Sequence, residues 1–113
     1  MTNPLVSRKE IVHEAPDTRA VLEKEFVVTF TPSDTTPSVL NKRVFMAGNT
    51  TPVTVTYFDD GFDGQPIKIL GDGFTTITHD LSKVVTNTGA PKLLAQNKVY
   101  RFTRYSKVWI EDA

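Results

Sequence analysis

Apolar residues in this chain fall at every second position over short runs, and polar segments bearing glycine or proline separate the runs. Val53 to Tyr57 reads Val-Thr-Val-Thr-Tyr, the alternation of a strand with one buried face. Phe26, Val28 and Phe30 share one face of a run, as do Ile67 with Ile69 and Tyr100 with Phe102. The pattern predicts strands over Phe26–Phe30, Ser38–Met46, Val53–Tyr57, Pro66–Leu70, Phe74–His79, Lys83–Thr86, Lys98–Tyr105 and Val108–Glu111, with Lys92–Ala95 short and ambiguous. Turns are expected at Thr31–Pro37, Ala47–Pro52, Asp60-Gly61, Asp63-Gly64, Gly71–Gly73 and Asn87–Pro91. Ser106-Lys107 is the right length for a two-residue hairpin. Turns at about every 8 to 12 residues predict an all-β domain over residues 26–113, a compact antiparallel sandwich or barrel-like fold.

Residues 1–25 lack this texture. Pro4, Pro16 and weak apolar periodicity predict an extended N-terminal arm. Asp17 can cap a short helix over residues 17–25, and a strand starting at Val21 is the competing reading. Such an arm either lies on a neighbouring subunit or stays disordered.

Composition narrows the picture. The chain has 113 residues, one domain's worth, with 39% hydrophobic residues and no cysteine. Disulfides and thiolate metal sites are thereby excluded. Thirteen basic and thirteen acidic residues give zero net charge, so no overall basic field for nucleic acid exists. Charge is nevertheless uneven. Asp59, Asp60, Asp63, Asp72 and Asp80 face Lys68 alone in their segment, whereas Leu81–Ile110 carries only basic charges. Either these segments pair across a sheet or they form two charged faces for assembly partners. No apolar stretch approaches the roughly 20 residues of a membrane span, and no leader pattern follows Met1. A soluble protein made in the cytoplasm is expected.

Candidate chemistry is sparse. Asp59, Asp60 and Asp63 could ligate Ca²⁺ through oxygen, but the spacing and the terminal glutamate of an EF-hand are missing. Turn formation accounts for these residues better. His13 and His79 have no third ligand at matched spacing. No serine sits in a nucleophile elbow and no phosphate-binding glycine motif occurs. Trp109 with Tyr100, Phe102 and Tyr105 is either a platform for a sugar ring or a core cluster, the core being preferred. No catalytic, cofactor-binding or metal residue is assigned.

Four stretches together resemble a small β-module found at the ends of bacteriophage tail-spike and fibre proteins and in some β-helical surface proteins. They are Thr54–Phe58, Gly61–Ile69, Gly71–His79 (Gly-Asp-Gly-Phe-Thr-Thr-Ile-Thr-His) and Tyr100–Glu111, whose aromatic and acidic positions are Tyr100, Phe102, Tyr105, Trp109 and Glu111. The resemblance spans about Pro37 to Glu111. Residues before Pro37 depart from it, and Ser106-Lys107 replaces an expected glycine. It implies a non-enzymatic structural protein located in a virion, often trimeric, with other virion subunits as partners and neither nucleic acid nor membrane bound. A capsid decoration (cement) protein gripping the major capsid protein is the expectation. A tail-fibre or tail-spike component and a carbohydrate-binding module are the alternatives.

Overall fold

The computed structural model describes residues 27–113, and there the alternating runs become nine strands. They are β1 (Val27–Thr29), β2 (Val44–Met46), β3 (Val53–Val55), β4 (Pro66–Leu70), β5 (Thr75–Ile77), β6 (Val84–Val85), β7 (Lys92–Leu93), β8 (Val99–Tyr105) and β9 (Val108–Glu111). The fold is all-β, with no α-helix among the described residues. The predicted arm over 1–25 and the helix over 17–25 lie outside the described residues. Within Ser38–Met46 only Val44–Met46 is a strand, because Asn41 takes a left-handed backbone (φ 56) that interrupts extension.

Six strands form one sheet in the order β1-β2-β4-β8-β9-β6, and three form a second in the order β3-β5-β7. The expected antiparallel pairing is found for β4–β8, β8–β9 and β5–β7. The other pairs, β1–β2, β2–β4, β3–β5 and β6–β9, are parallel. The chain therefore winds. It leaves the large sheet after β2, adds β3 to the small sheet, returns as β4 and leaves again as β5. Each excursion through the opposite sheet is the crossover that parallel neighbours require. A parallel bridge from Ser38 to Asp59 continues the winding on a third side. The stacked coils carry a faint repeat: Thr54-Val55 lies in register with Thr76-Ile77.

Glycine turns serve this winding as corners. A Cβ on Gly71 would lie 2.1 Å from the Ala95 carbonyl oxygen, so only glycine lets the second coil approach the Leu94–Ala95 backbone. Just beyond, the buried side chain of Asn49 ties successive coils together. Its Oδ1 accepts from Ser33 N–H at 2.9 Å, and its Nδ2 donates to Thr75 Oγ1 at 2.8 Å. Asp72 accepts from the backbone N–H groups of Asn49, Phe74 and Thr75 and from the Thr75 hydroxyl. Burial alone would raise the Asp72 pKa, but these donors outweigh it and hold the carboxyl below its ordinary 3.8. A lowered folded pKa means stability present above pH 3.8 and lost as pH falls through that value toward the folded one. Asp72→Asn must turn an NH₂ toward one set of donors, so it should cost about 1–2 kcal/mol at neutral pH. It should also flatten the acid limb of thermal melts below about pH 5; a limb as steep as the parent's would refute this.

The core lies between the sheets. Phe58 is its hub, with ring centroids 5.6 Å from Phe102, 5.5 Å from Trp109 and 6.2 Å from Phe30, which stacks on Phe45 at 5.1 Å. Val39, Val55, Ile67, Ile69, Ile77, Val84 and Leu94 fill the remaining space. Gln65 is buried among them and satisfied: its Nε2 donates to the carbonyls of Val39 and Lys42, and its Oε1 accepts from Phe62 N–H. The β8–β9 hairpin turns at Ser106 (φ 48) and Lys107 (φ 70), the two positive values of a type I′ turn. Glycine is dispensable there because neighbours hold Lys107 in place. Its N–H donates to Asp63 and its carbonyl accepts from the Tyr57 hydroxyl.

Candidate interaction surface

The residues singled out for chemistry are mostly engaged in holding turns. Asp60 accepts from the Ser38 hydroxyl at 2.6 Å, which fastens one coil to the next. Asp63 accepts from Lys107 N–H at 2.9 Å and lies 3.6 Å from the Arg104 guanidinium. Asp80 accepts from the hydroxyl and backbone N–H of Ser82, and both bonds keep its carboxyl ionised to lower pH than usual. Asp59 contributes its backbone, pairing with Pro37 and Val39. No group of three or more potential metal ligands converges among the described residues. His79 Nδ1 accepts from Thr86 N–H at 3.2 Å, which is structural use, and His13 lies outside the described residues.

The aromatic cluster is core and not platform. Trp109 and Phe102 are wholly buried, Tyr100 nearly so, and the Trp109 indole N–H donates to the Phe58 carbonyl at 3.1 Å. Only Tyr105 of the four is exposed. A sugar ring therefore has no Trp109 face to stack on.

The charge asymmetry of the sequence does not resolve into strand pairing either. Of the Leu81–Ile110 cations, Arg104 meets the acidic segment, at Asp63, and Lys92 pairs with Glu111. Lys68 and Arg101 stand directly opposite each other on β4 and β8, a like-charged cross-strand pair.

What sequence reading missed is the outer face of the six-stranded sheet. Strand alternation sends Phe45, Ile67, Ile69, Tyr100, Phe102 and Trp109 inward. The outward positions on such a face are ordinarily polar. Here one row across four strands runs Thr29, Met46, Leu70, Val99, and the next runs Val27, Val44, Lys68, Arg101, so its apolar half gives way to two cations. A third row aligns Pro66 with Thr103, Ile110 and Val85. Met46 is 42% exposed and Val99 43%, so the first row opens to solvent. The face is thus apolar along the Met46, Leu70, Val99 row and charged beside it at Lys68 and Arg101. The signal was present in the sequence as outward-phase Val, Met, Leu and Ile residues. They come from segments far apart, and only strand order brings them together. No helix among the described residues is long and apolar enough to cross a membrane.

No protein-family model, curated protein or solved structure matches this chain.

Proposed function

We propose that the protein is a non-enzymatic structural component of a bacteriophage virion, a capsid decoration protein that binds the major capsid protein. The observation that carries a binding role is the row Met46, Leu70 and Val99 on the outer face of the six-stranded sheet, apolar where an exposed row is ordinarily polar. The use of Asp60, Asp63, Asp72 and His79 as turn and corner acceptors supports a binding role over a catalytic one. The resemblance of Thr54–Phe58, Gly61–Ile69, Gly71–His79 and Tyr100–Glu111 to phage β-modules supports the virion setting. Many copies on a shell would add modest contacts into a firm hold.

The second reading, a tail-fibre or tail-spike component, is favoured by the coils. β1 closes the sheet order with one edge unpaired among the described strands, and stacked coils propagate through such edges. In particles of the encoding phage, gold-labelled antibody should decorate the shell. Label confined to the tail would transfer the assignment to the second reading, and absence from purified particles would sink both.

The same face is proposed to join copies into a homo-oligomer, a trimer. Light scattering should then report an oligomer for the parent chain. Met46→Asp places a charge on an exposed apolar position and should weaken association by about tenfold or more while leaving the circular dichroism spectrum intact. A Met46→Asp chain that associates like the parent would remove the face from the interface.

A further inference from the structure

A trimer built on one repeated contact has to join unlike patches, because a patch that meets its own copy is saturated in a dimer. The outer-face row Met46, Leu70, Val99 therefore needs a different, complementary patch on the next copy. Its surroundings say what that patch must carry. Leu70 pairs with Val99, and two residues along the same strands Lys68 stands opposite Arg101. Both cations are exposed, and neither joins an ion pair among the described residues. Asp112, beyond Arg101, takes the Thr103 hydroxyl. Like charges directly opposite repel, and a carboxylate laid over them would relieve both. The complement is an apolar side chain beside an available carboxylate.

Of the exposed large apolar side chains off this face, Phe62, Phe74 and Leu81 lie within two residues of an acid. Beside Phe74, Asp72 is saturated by donors from Asn49, Phe74 and Thr75. Beside Leu81, Asp80 holds the two donors of Ser82. Phe62 differs. It is 49% exposed and lies in Asp59–Gln65, a loop with three carboxylates and no cation. The Asp63 side chain is 57% exposed, and its contacts to Lys107 N–H and to Arg104 both engage Oδ1, which leaves Oδ2 available. The loop packs on the β8–β9 hairpin, where Gly64 N–H donates to the Arg104 carbonyl at 2.7 Å. It thus sits at the opposite end of β4 from Leu70, about 13 Å away along the strand. A loop at one end of the sheet and a row at the other suit a contact that runs from one copy to the next. The row and the cation pair are about 7 Å apart along the strands, within reach of two adjacent side chains.

We propose that copies of this chain associate head to tail: Phe62 of one packs on Met46, Leu70 and Val99 of the next, and its Asp63 carboxylate meets that copy's Lys68 and Arg101. This contact rests on the homo-oligomer proposed above and names the second patch it requires.

Light scattering on two variants and their mixture tests it. Phe62→Asp removes the apolar side chain of the loop and keeps the row, whereas Met46→Asp spoils the row and keeps the loop. The Phe62 backbone, not its ring, bonds to Gln65, so the fold should survive, checked by circular dichroism and repeated with Phe62→Ser. Each variant alone should associate about tenfold more weakly than the parent, or worse. Mixed in equal amounts, they should form a one-to-one dimer and nothing larger, because a single working contact remains. Asp63→Asn, which keeps an acceptor for Lys107 N–H, should also weaken association of the parent chain. A Phe62→Asp chain that assembles like the parent, or a mixture that stays monomeric where the parent associates, would overturn the head-to-tail contact and leave the homo-oligomer standing. A parent chain that is itself monomeric would remove the homo-oligomer and this contact with it.

Discussion

Trp109→Ala should lower stability by about 3–5 kcal/mol, the range for emptying a large aromatic site in a packed core. The ring is fully buried, meets Phe58 edge-on at 5.5 Å and donates its indole N–H to the Phe58 carbonyl. It also seats against Gly61, where a Cβ would come within 2.5 Å of the indole, so little room exists for collapse. Small domains hold only about 5–15 kcal/mol in total. The alanine chain should therefore unfold at markedly lower urea concentration. Trp109→Phe keeps an apolar ring but leaves the Phe58 carbonyl unpaired, and an intermediate loss of about 1–3 kcal/mol is expected. Because Trp109 is the only tryptophan, unfolding has to be followed by circular dichroism. A loss under about 1 kcal/mol for the alanine chain would show that the core closes around the gap.

Asn49→Leu is expected to cost about 1–3 kcal/mol through hydrogen bonding, because Ser33 N–H loses its acceptor and the Thr75 hydroxyl, which keeps its bond to Asp72, loses a donor. Leucine has similar volume but can neither accept from Ser33 N–H nor donate to the buried Thr75 hydroxyl. Those partners sit on the coils before and after Asn49, so the substitution loosens the winding at both interfaces. The backbone N–H of Asn49 still reaches Asp72, which places the two side chains in one network. Their effects should be non-additive: Asn49→Leu combined with Asp72→Asn should cost less than the two single losses summed. Urea unfolding of the four chains tests this. Strict additivity would show that Asn49 and Asp72 act independently.

Most strands were legible in the sequence for a simple reason. Val53–Val55, Pro66–Leu70, Val99–Tyr105 and Val108–Glu111 carry period-two patterns, and the side chain of every second residue must be buried whatever the partner strand. The Ser106-Lys107 hairpin was legible from its length between two such runs. Pairing direction was not. Alternation reads the same for parallel and antiparallel neighbours, so the Asp-Gly and Gly-Asp-Gly signals that suggested reversals turn out to mark corners of a coil. One clue existed: Thr54-Val55 and Thr76-Ile77 are near copies, and they stack in register. Gln65 and Asn49 gave no warning of their burial, since amides between turn signals read as surface loop residues.

Alternation and turn chemistry by themselves determine an all-β domain with Ile67, Ile69, Phe102 and Trp109 in its interior, because burial of every second side chain is a local property. Tertiary structure alone decides that β2 and β4 run parallel, that Asn49 spans three coils, and that Met46, Leu70 and Val99 form one apolar row. It also sets Lys68 opposite Arg101 beside that row. These are relations between distant segments, set by which strand edges meet. A one-dimensional pattern records the phase of each strand but not its neighbour.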